Sequence, residues 1–354
     1  MKIAIIGAGL TGAVVADKLS RLGHNVTVIE KSRGRGGRMN TKRLSWANCD
    51  MGAQYFTARD PQFINEIEQW QTDGLVEPWA FSPSLLRAKV LAASPDAELR
   101  YVATPEMNSI AKHLLKDKKL ELNTKINHIT NDDGKWLLWR DNMELVGIYD
   151  WLISTIPAEQ AFELFADIPS IQNQIPHDVH EPCWAVTLAT QGEVSDVLQG
   201  VFSREKVSWL ARQNHKPQRQ IEKRLTSEDK SGAKPQQKID DLWNIHFDAA
   251  FTKQHIGVDS KNIQNIALDW LNELIINNNL GDGVRLVDGY AHFWRYARPA
   301  ESYIAEYEKN KPTIIFDAEQ QYAIIGDWAK GGRVEGAYLS AVECVDAFKS
   351  NSWT

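Results

Sequence analysis

The sequence predicts an α/β protein, α+β overall. A parallel sheet assembled from both ends of the chain is interrupted by a second unit built on a mixed or antiparallel sheet. Three observations carry this. The first 30 residues read as strand, glycine-rich turn, helix and strand. An apolar strand at 321–326 ends in Gly326-Asp327 just before a final helix, so both ends of the chain build one sheet edge. The middle of the chain is rich in strand-like runs, and 354 residues exceed what one compact core holds.

Residues 2–6 (Lys-Ile-Ala-Ile-Ile) form a short apolar run, as a strand buried on both faces requires. Helical spacing follows over 10–22, and Gly23 stops it. Residues 25–30 (Asn-Val-Thr-Val-Ile-Glu) form a second β-branched strand, parallel to the first through a right-handed crossover. This continuity marks Lys2–Ala16 as structure and not as a secretion signal. A helix is expected over 61–72, irregular chain or short strands over 74–105, and a helix near 106–116. Strands are expected near 119–123, 135–140 and 144–154, with Asp132-Asp133-Gly134 as a turn, and at 183–190 and 199–210. The nearly apolar-free stretch 213–240 reads as a mobile polar surface insert. A helix at 261–278, strands at 284–296 and 321–326, and a helix at 335–349 complete the chain.

Composition narrows the function. Hydrophobic residues make up 43% and charged residues 24%, and the formal net charge is −6, which argues against general nucleic-acid binding. No run is apolar enough for a transmembrane span. Cys49, Cys183 and Cys344 are odd in number and far apart, giving neither a disulfide framework nor a metal pair, and fit a reducing, cytoplasmic setting. No metal-ligand set appears.

Gly7-Ala8-Gly9-Leu10-Thr11-Gly12 is a GxGxxG between strand and helix. Gly7 permits the turn, Gly9 lets a pyrophosphate approach, Gly12 lets the helix pack, and the phosphates meet the positive helix end. Glu30 closes the second strand where a carboxylate grips ribose hydroxyls. The alternative is a tight strand–helix turn with a surface Glu. After Lys31, the cluster Arg35-Gly36-Gly37-Arg38 suits FAD better than NAD, because a diphosphate continuing toward a ribityl chain uses a second close-approach loop and arginine can neutralise phosphate. Gly326 and Asp327 emerge at the carboxyl edge of the sheet, where Asp327 can accept from a ribityl hydroxyl. The start of the last helix (Arg333, Val334, Glu335, Ala337) would face the flavin ring.

These motifs, with Ala16, Leu19, Gly23, Val26 and Val28, resemble the flavin-containing amine oxidase superfamily. Asp50-Met51-Gly52-Ala53-Gln54-Tyr55 resembles the D-L-G-A-Q-Y motif of renalase and the bacterial renalase-like oxidoreductases. Thr155-Ile156-Pro157-Ala158, His292-Phe293-Trp294-Arg295-Tyr296-Ala297 and Gly326-Asp327-Trp328 continue the match along nearly the whole chain. The resemblance implies an oxidase using noncovalent FAD. Its substrate would be a 2- or 6-dihydro isomer of NAD(P)H, giving up hydride to the flavin, with O2 as the second partner and hydrogen peroxide as product. Gln54, Tyr55, Trp184, His292, Trp294, Arg295 and Tyr296 are expected near the ring, with His292, Trp294, Arg295 and Tyr55 as catalytic candidates. The alternative for the Trp294–Tyr296 strand is plain sheet packing. Two other functions stay open: an amine oxidase, and a noncatalytic FAD-binding module. The expected division is 1–70, 100–165 and 310–354 for FAD, and 71–99 with 166–309 for substrate.

Overall fold

The computed structural model describes residues 1–219, 221, 238–310 and 313–351. The chain begins as expected, with strand β1 (Lys2–Ile6), helix α1 (Leu10–Arg21) and strand β2 (Asn25–Ile29), the strands paired in parallel. They are four-fifths buried runs with no alternation, because both faces of their sheet are covered.

That sheet has six strands in the order 315–317, 322–324, 151–154, 2–6, 25–29, 119–121. All pairs are parallel except the first. Segments from the start, middle and end of the chain therefore share one sheet. Helix α1 and the last helix, Arg333–Ser350, pack on it side by side, and the Thr11 hydroxyl donates to the Ala337 carbonyl at 3.0 Å.

A second, mixed sheet of seven strands runs 285–299, 180–191, 241–247, 207–212, 200–203, 84–87, 90–93, with only 200–203 and 84–87 parallel. One face packs against helix Ser260–Asn277, burying Trp184, Val186, Leu188, Trp243 and Trp270. The other is covered by the hairpin 41–43/48–50 and its flanks, where Trp46, Cys49 and Met51 meet Ala185, Ala189 and Leu242. Strand His180–Gln191 is thus buried without a break from Trp184 to Thr190. A three-stranded antiparallel sheet (128–132, 135–139, 145–149) turns at Asp133-Gly134.

Several expectations change. The run 144–154 is two strands, 145–149 and 151–154, parted at Asp150, whose carboxylate accepts from the Lys2 N–H and from Lys135 Nζ, both at 2.7 Å. Strand 128–132 and helices 158–164, 249–254 and 301–310 were not anticipated. Of the polar insert, 213–219 is not a solvated loop: Gln213, Lys216 and Arg219 are buried. The rest of that expectation, at 220 and 222–237, lies outside the described residues. Among the described residues no helix is long and apolar enough to cross a membrane.

Candidate functional site

The carboxyl edge of the parallel sheet is where the two chain ends meet, and glycine shapes it. Gly7 has φ +110°, and a Cβ there would meet Thr155 Oγ1 at 2.6 Å. A Cβ on Gly12 would meet the Gly7 carbonyl at 2.1 Å. The protein's own packing therefore requires both. Gly9 differs: its backbone is ordinary, φ −74° and ψ −173°, and a Cβ there would meet nothing within 4 Å. Nothing in the chain demands glycine at position 9, but a ligand lying against the backbone would. The Gly36-Gly37 turn folds over it, with the Gly36 N–H donating to the Ala8 carbonyl at 2.8 Å.

Helix ends give a second sign. Helices starting at 61, 249 and 260 are capped by the side chains of Asp60, Asp248 and Asp259. Helix α1 and the last helix start at Gly9 and Gly332 with no side-chain cap, as do the shorter helices starting at 109, 158 and 169. Uncapped N–H groups and the positive dipole end make such starts receptive to oxygen ligands. At the start of the last helix, Gly331, Gly332 and Arg333 all have positive φ, of 73°, 82° and 70°. For Arg333 that conformation costs about 1–3 kcal/mol, which is typical of functional turns.

The expected cofactor residues are distributed around this edge. Glu30 is buried, and its carboxylate accepts from Ala8 N–H at 2.9 Å and Ser32 N–H at 2.8 Å, tying the first loop to the end of β2. Arg38 pairs with Asp327, and its other Nη reaches the Ala297 carbonyl at 3.5 Å, so one guanidinium joins the first loop, the last segment and the second sheet. Leu10 and Val334 are buried in the core of the first unit. Lys31 donates to Gln160 at 2.9 Å and Arg35 to the Leu115 carbonyl at 3.1 Å. Glu335 is engaged elsewhere, accepting from the N–H groups of Arg59 and Asp60 at 2.6 and 2.8 Å.

The substrate-side candidates divide. His292 and Trp294 stand ring to ring, centroids 4.4 Å apart, and Trp294 Nε1 donates to the Met51 carbonyl at 2.9 Å. Burial and the nearby Lys42 lower the His292 pKa, keeping the ring neutral. Tyr55 sits in an aromatic box with Trp79 and Trp209, centroids 6.5 and 5.2 Å away, under the Arg100 guanidinium at 5.2 Å. Arg295 does not join them. It is exposed, beside the register shift between Glu181 and Cys183. Trp184 lies in the helix-side core and donates to the His255 carbonyl at 3.1 Å, because strand alternation sends it to the face opposite Ala185. Tyr296 packs edge-on to His180.

The insert supplies residues that sequence reasoning missed. Lys216, with no exposed side-chain surface, donates to Gln54 Oε1 at 2.7 Å and Gln213 Oε1 at 3.3 Å, and lies 5.4 Å from the Trp79 ring centre. Asn244 also donates to Gln54 Oε1, at 3.0 Å. Arg219 grips Asp50 Oδ2 with two N–H groups, at 3.0 and 2.8 Å, while the Thr41 hydroxyl donates to Oδ1 at 2.7 Å. Burial opposes charge on Asp50, but Arg219, Lys216 and these hydrogen bonds outweigh it and hold the carboxyl below its usual range. Burial brings the Lys216 ammonium down to about 7, against the pull of Asp50. The segment Asp50–Tyr55 is thereby fastened to the second sheet by two cations. No spacing rule pairs Asp50 with residues 166 and 169 positions onward; only the Gln54-Tyr55 motif pointed to this place.

Lys216 gives stability a pH dependence of definite sign. Its unfolded pKa, 10.5, exceeds the folded value of about 7, so between these the unfolded chain binds the extra proton. Stability should therefore rise as pH climbs from about 7 toward 9. The Lys216→Met variant should show a flatter profile in urea titrations across that window; a slope equal to wild type would mean the lysine keeps its ordinary pKa.

With the geometry set out, the comparisons give the class first. Three solved structures share the whole fold. The chain covers 99% of itself and 99% of a candidate protoporphyrinogen oxidase of Exiguobacterium sp. 255-15, with TM-score 0.71 and 11% identity. It matches cyclohexylamine oxidase of Brevibacterium oxydans IH-35A over 100% of this chain and 99% of that one (TM-score 0.70, 12% identity). An oxidoreductase of Methanosarcina mazei is covered at 98% and 100% (TM-score 0.67, 13% identity). The chain thus has a fold found in oxidoreductases of this two-sheet form. More particularly, residues 5–67 match the model of the NAD(P)-binding Rossmann-like domain. A stretch of 52 residues is 48% identical to 4,4'-diapophytoene desaturase of Staphylococcus aureus, covering 15% of this chain. The chain spans about a tenth (10%) of the length of that curated relative.

Proposed function

We propose that the chain is a FAD-dependent oxidoreductase of the flavin-containing amine oxidase superfamily, and within it a renalase-like oxidase of 2- or 6-dihydroNAD(P). Gly9 carries the cofactor reading: it is the one glycine of its motif with no structural cause inside the chain. The uncapped start of α1 would take the pyrophosphate, Glu30 the adenosine ribose, Asp327 and Arg38 the ribityl and phosphate region, and the start of the last helix the ring. Bound there, FAD would supply the hydride acceptor, with dioxygen as the oxidant that returns it to the oxidised form and hydrogen peroxide as the product.

The chain's residues favour a noncovalent arrangement. Cys49 and Cys344 are fully buried, the latter inside the last helix. Burial pushes the thiols of Cys49 and Cys183 up to about 12 and that of Cys344 higher still, so none is a ready thiolate.

For the substrate, the D-x-G-A-Q-Y resemblance is supported by charge. Arg219 neutralises Asp50, which leaves Lys216, an additional cation below a pH of about 7, behind Gln54. A cation there attracts a phosphate-bearing nucleotide and repels an ammonium. One observation bears on the second reading, an amine oxidase: the Tyr55–Trp79–Trp209 box is aromatic, as a neutral amine requires, though Arg100 and Lys216 lie against two of its rings.

Anaerobic stopped-flow absorbance in the visible flavin band separates the two. Purified protein mixed with 6-dihydroNAD or 2-dihydroNAD should bleach rapidly and respond slowly or not at all to NADH and to amines. Bleaching by an amine alone would transfer the assignment to the amine oxidases, and no bleaching by any reductant would leave a noncatalytic flavin module.

A further inference from the structure

We propose that Glu159 and His180 form a further binding element of this site, in which His180 Nε2 accepts a hydrogen bond from an O–H or N–H of the nucleotide. The inference rests on the FAD reading above. Glu159 lies in the first turn of helix Ala158–Leu164, directly after strand Trp151–Ser154, and so at the carboxyl edge of the parallel sheet. His180 opens the long strand His180–Gln191 of the second sheet. The pair therefore bridges the two units.

Its geometry fixes the imidazole. Glu159 Oε1 accepts from the His180 backbone N–H at 2.6 Å, and Oε2 lies 2.7 Å from Nδ1. Burial opposes the Glu159 charge, but the His180 contacts prevail and hold this carboxyl below its usual range. An ionised carboxylate accepts only, so Nδ1 carries the hydrogen, and Nε2 is the ring nitrogen left to meet a ligand, an acceptor in the neutral tautomer. The His180 side chain has no exposed surface, and Nε2 has no partner among the described residues. Buried acceptors are normally satisfied, so a polar atom held this rigidly without one points to a ligand.

The surroundings place the pair beside the nucleotide site. Gln160, next to Glu159, accepts from Lys31, which follows the proposed ribose-binding Glu30. On the other side His180 pairs in register with Pro299, and a Cβ on Gly332, the start of the last helix, would meet the Pro299 ring at 3.2 Å. Tyr303 lies within reach of both Asp327 and Glu159; burial first, then these two carboxylates, push its phenol up to about 12. The pair, with its unsatisfied nitrogen, is thus set between residues that neighbour the two ends of the proposed site. It suits a sugar or ribityl hydroxyl, or a ring imide.

Calorimetric titration of the apoprotein tests this with three probes: FAD, FMN and ADP. His180→Phe, which keeps a flat ring and removes the acceptor, should weaken FAD about 3- to 10-fold. His180→Gln, whose Oε1 can accept at a similar reach, should restore most of that loss, which a purely structural role would not predict. If FMN shares the loss, the donor lies in the flavin half; if ADP shares it, in the adenosine half. A folded His180→Phe protein with unchanged FAD affinity overturns the proposal. Should His180→Phe not fold, Glu159→Gln, which frees the ring to turn over, takes its place, and unchanged FAD affinity again overturns it. Wild-type protein that binds no FAD would instead bring down the cofactor reading beneath it.

Discussion

Replacing Asp50 by Ala should destabilise the protein by about 3–5 kcal/mol, because it leaves the buried Arg219 guanidinium without its counter-ion. The carboxylate has no exposed surface and accepts from Arg219, Thr41 and the Met107 N–H, so nothing in water can replace it. The effect should reach the site as well, since Asp50 anchors the segment that carries Gln54 and Tyr55. Urea denaturation gives the measurement, with the triple variant Asp50→Ala, Arg219→Met, Lys216→Met as the control. Removing all the charges together should recover most of the loss, because a buried ion cluster is about neutral in net stability against apolar residues of similar volume. A single-variant loss under about 1 kcal/mol would mean that water reaches the cluster and that the segment 213–219 is not fastened there.

The second large effect is expected at Gly12. A Cβ would stand 2.1 Å from the Gly7 carbonyl oxygen and 3.0 Å from Thr155 Oγ1. The carbonyl belongs to the turn itself, so it cannot swing aside as a side chain would. Helix α1 must move off β1, and overpacking of this kind costs about 1–3 kcal/mol. Gly12→Ala should therefore lower the thermal midpoint and weaken FAD together. Retention of wild-type stability would show that the helix has slack against the strand.

The first unit was legible in the sequence because each of its signals is local. A continuous apolar strand, glycine turn, amphipathic helix and second strand succeed one another in 30 residues, and the helix expected over 61–72 is kept at those bounds. The seven-stranded sheet was legible only in outline. Trp184 was placed at the site because aromatic residues suit flat ligands, yet the face a strand residue takes is set by register, and here it is the helix side. Lys216 and Arg219 were illegible for a sharper reason. In a run of polar residues with no apolar period, a buried cation looks like a solvated one; what buries it is Asp50, 169 positions from Arg219. Glu159 and His180 are likewise joined only by the docking of one sheet against the other. The helix 301–310 buries no residue fully, so it offers no apolar stripe to read.

If the chain holds FAD along Gly9, one titration should show it. Apoprotein and the Gly9→Leu variant are each titrated with FAD while the thermal midpoint of both is recorded. Because a Cβ at position 9 would meet nothing within 4 Å in the protein, Gly9→Leu should fold with little change in midpoint. Because that space is where the pyrophosphate would lie, the variant should bind FAD at least about 100-fold more weakly than wild type, the loss of the charge-assisted phosphate contacts at the helix start. A stable Gly9→Leu protein that still takes up FAD with wild-type affinity would contradict the account.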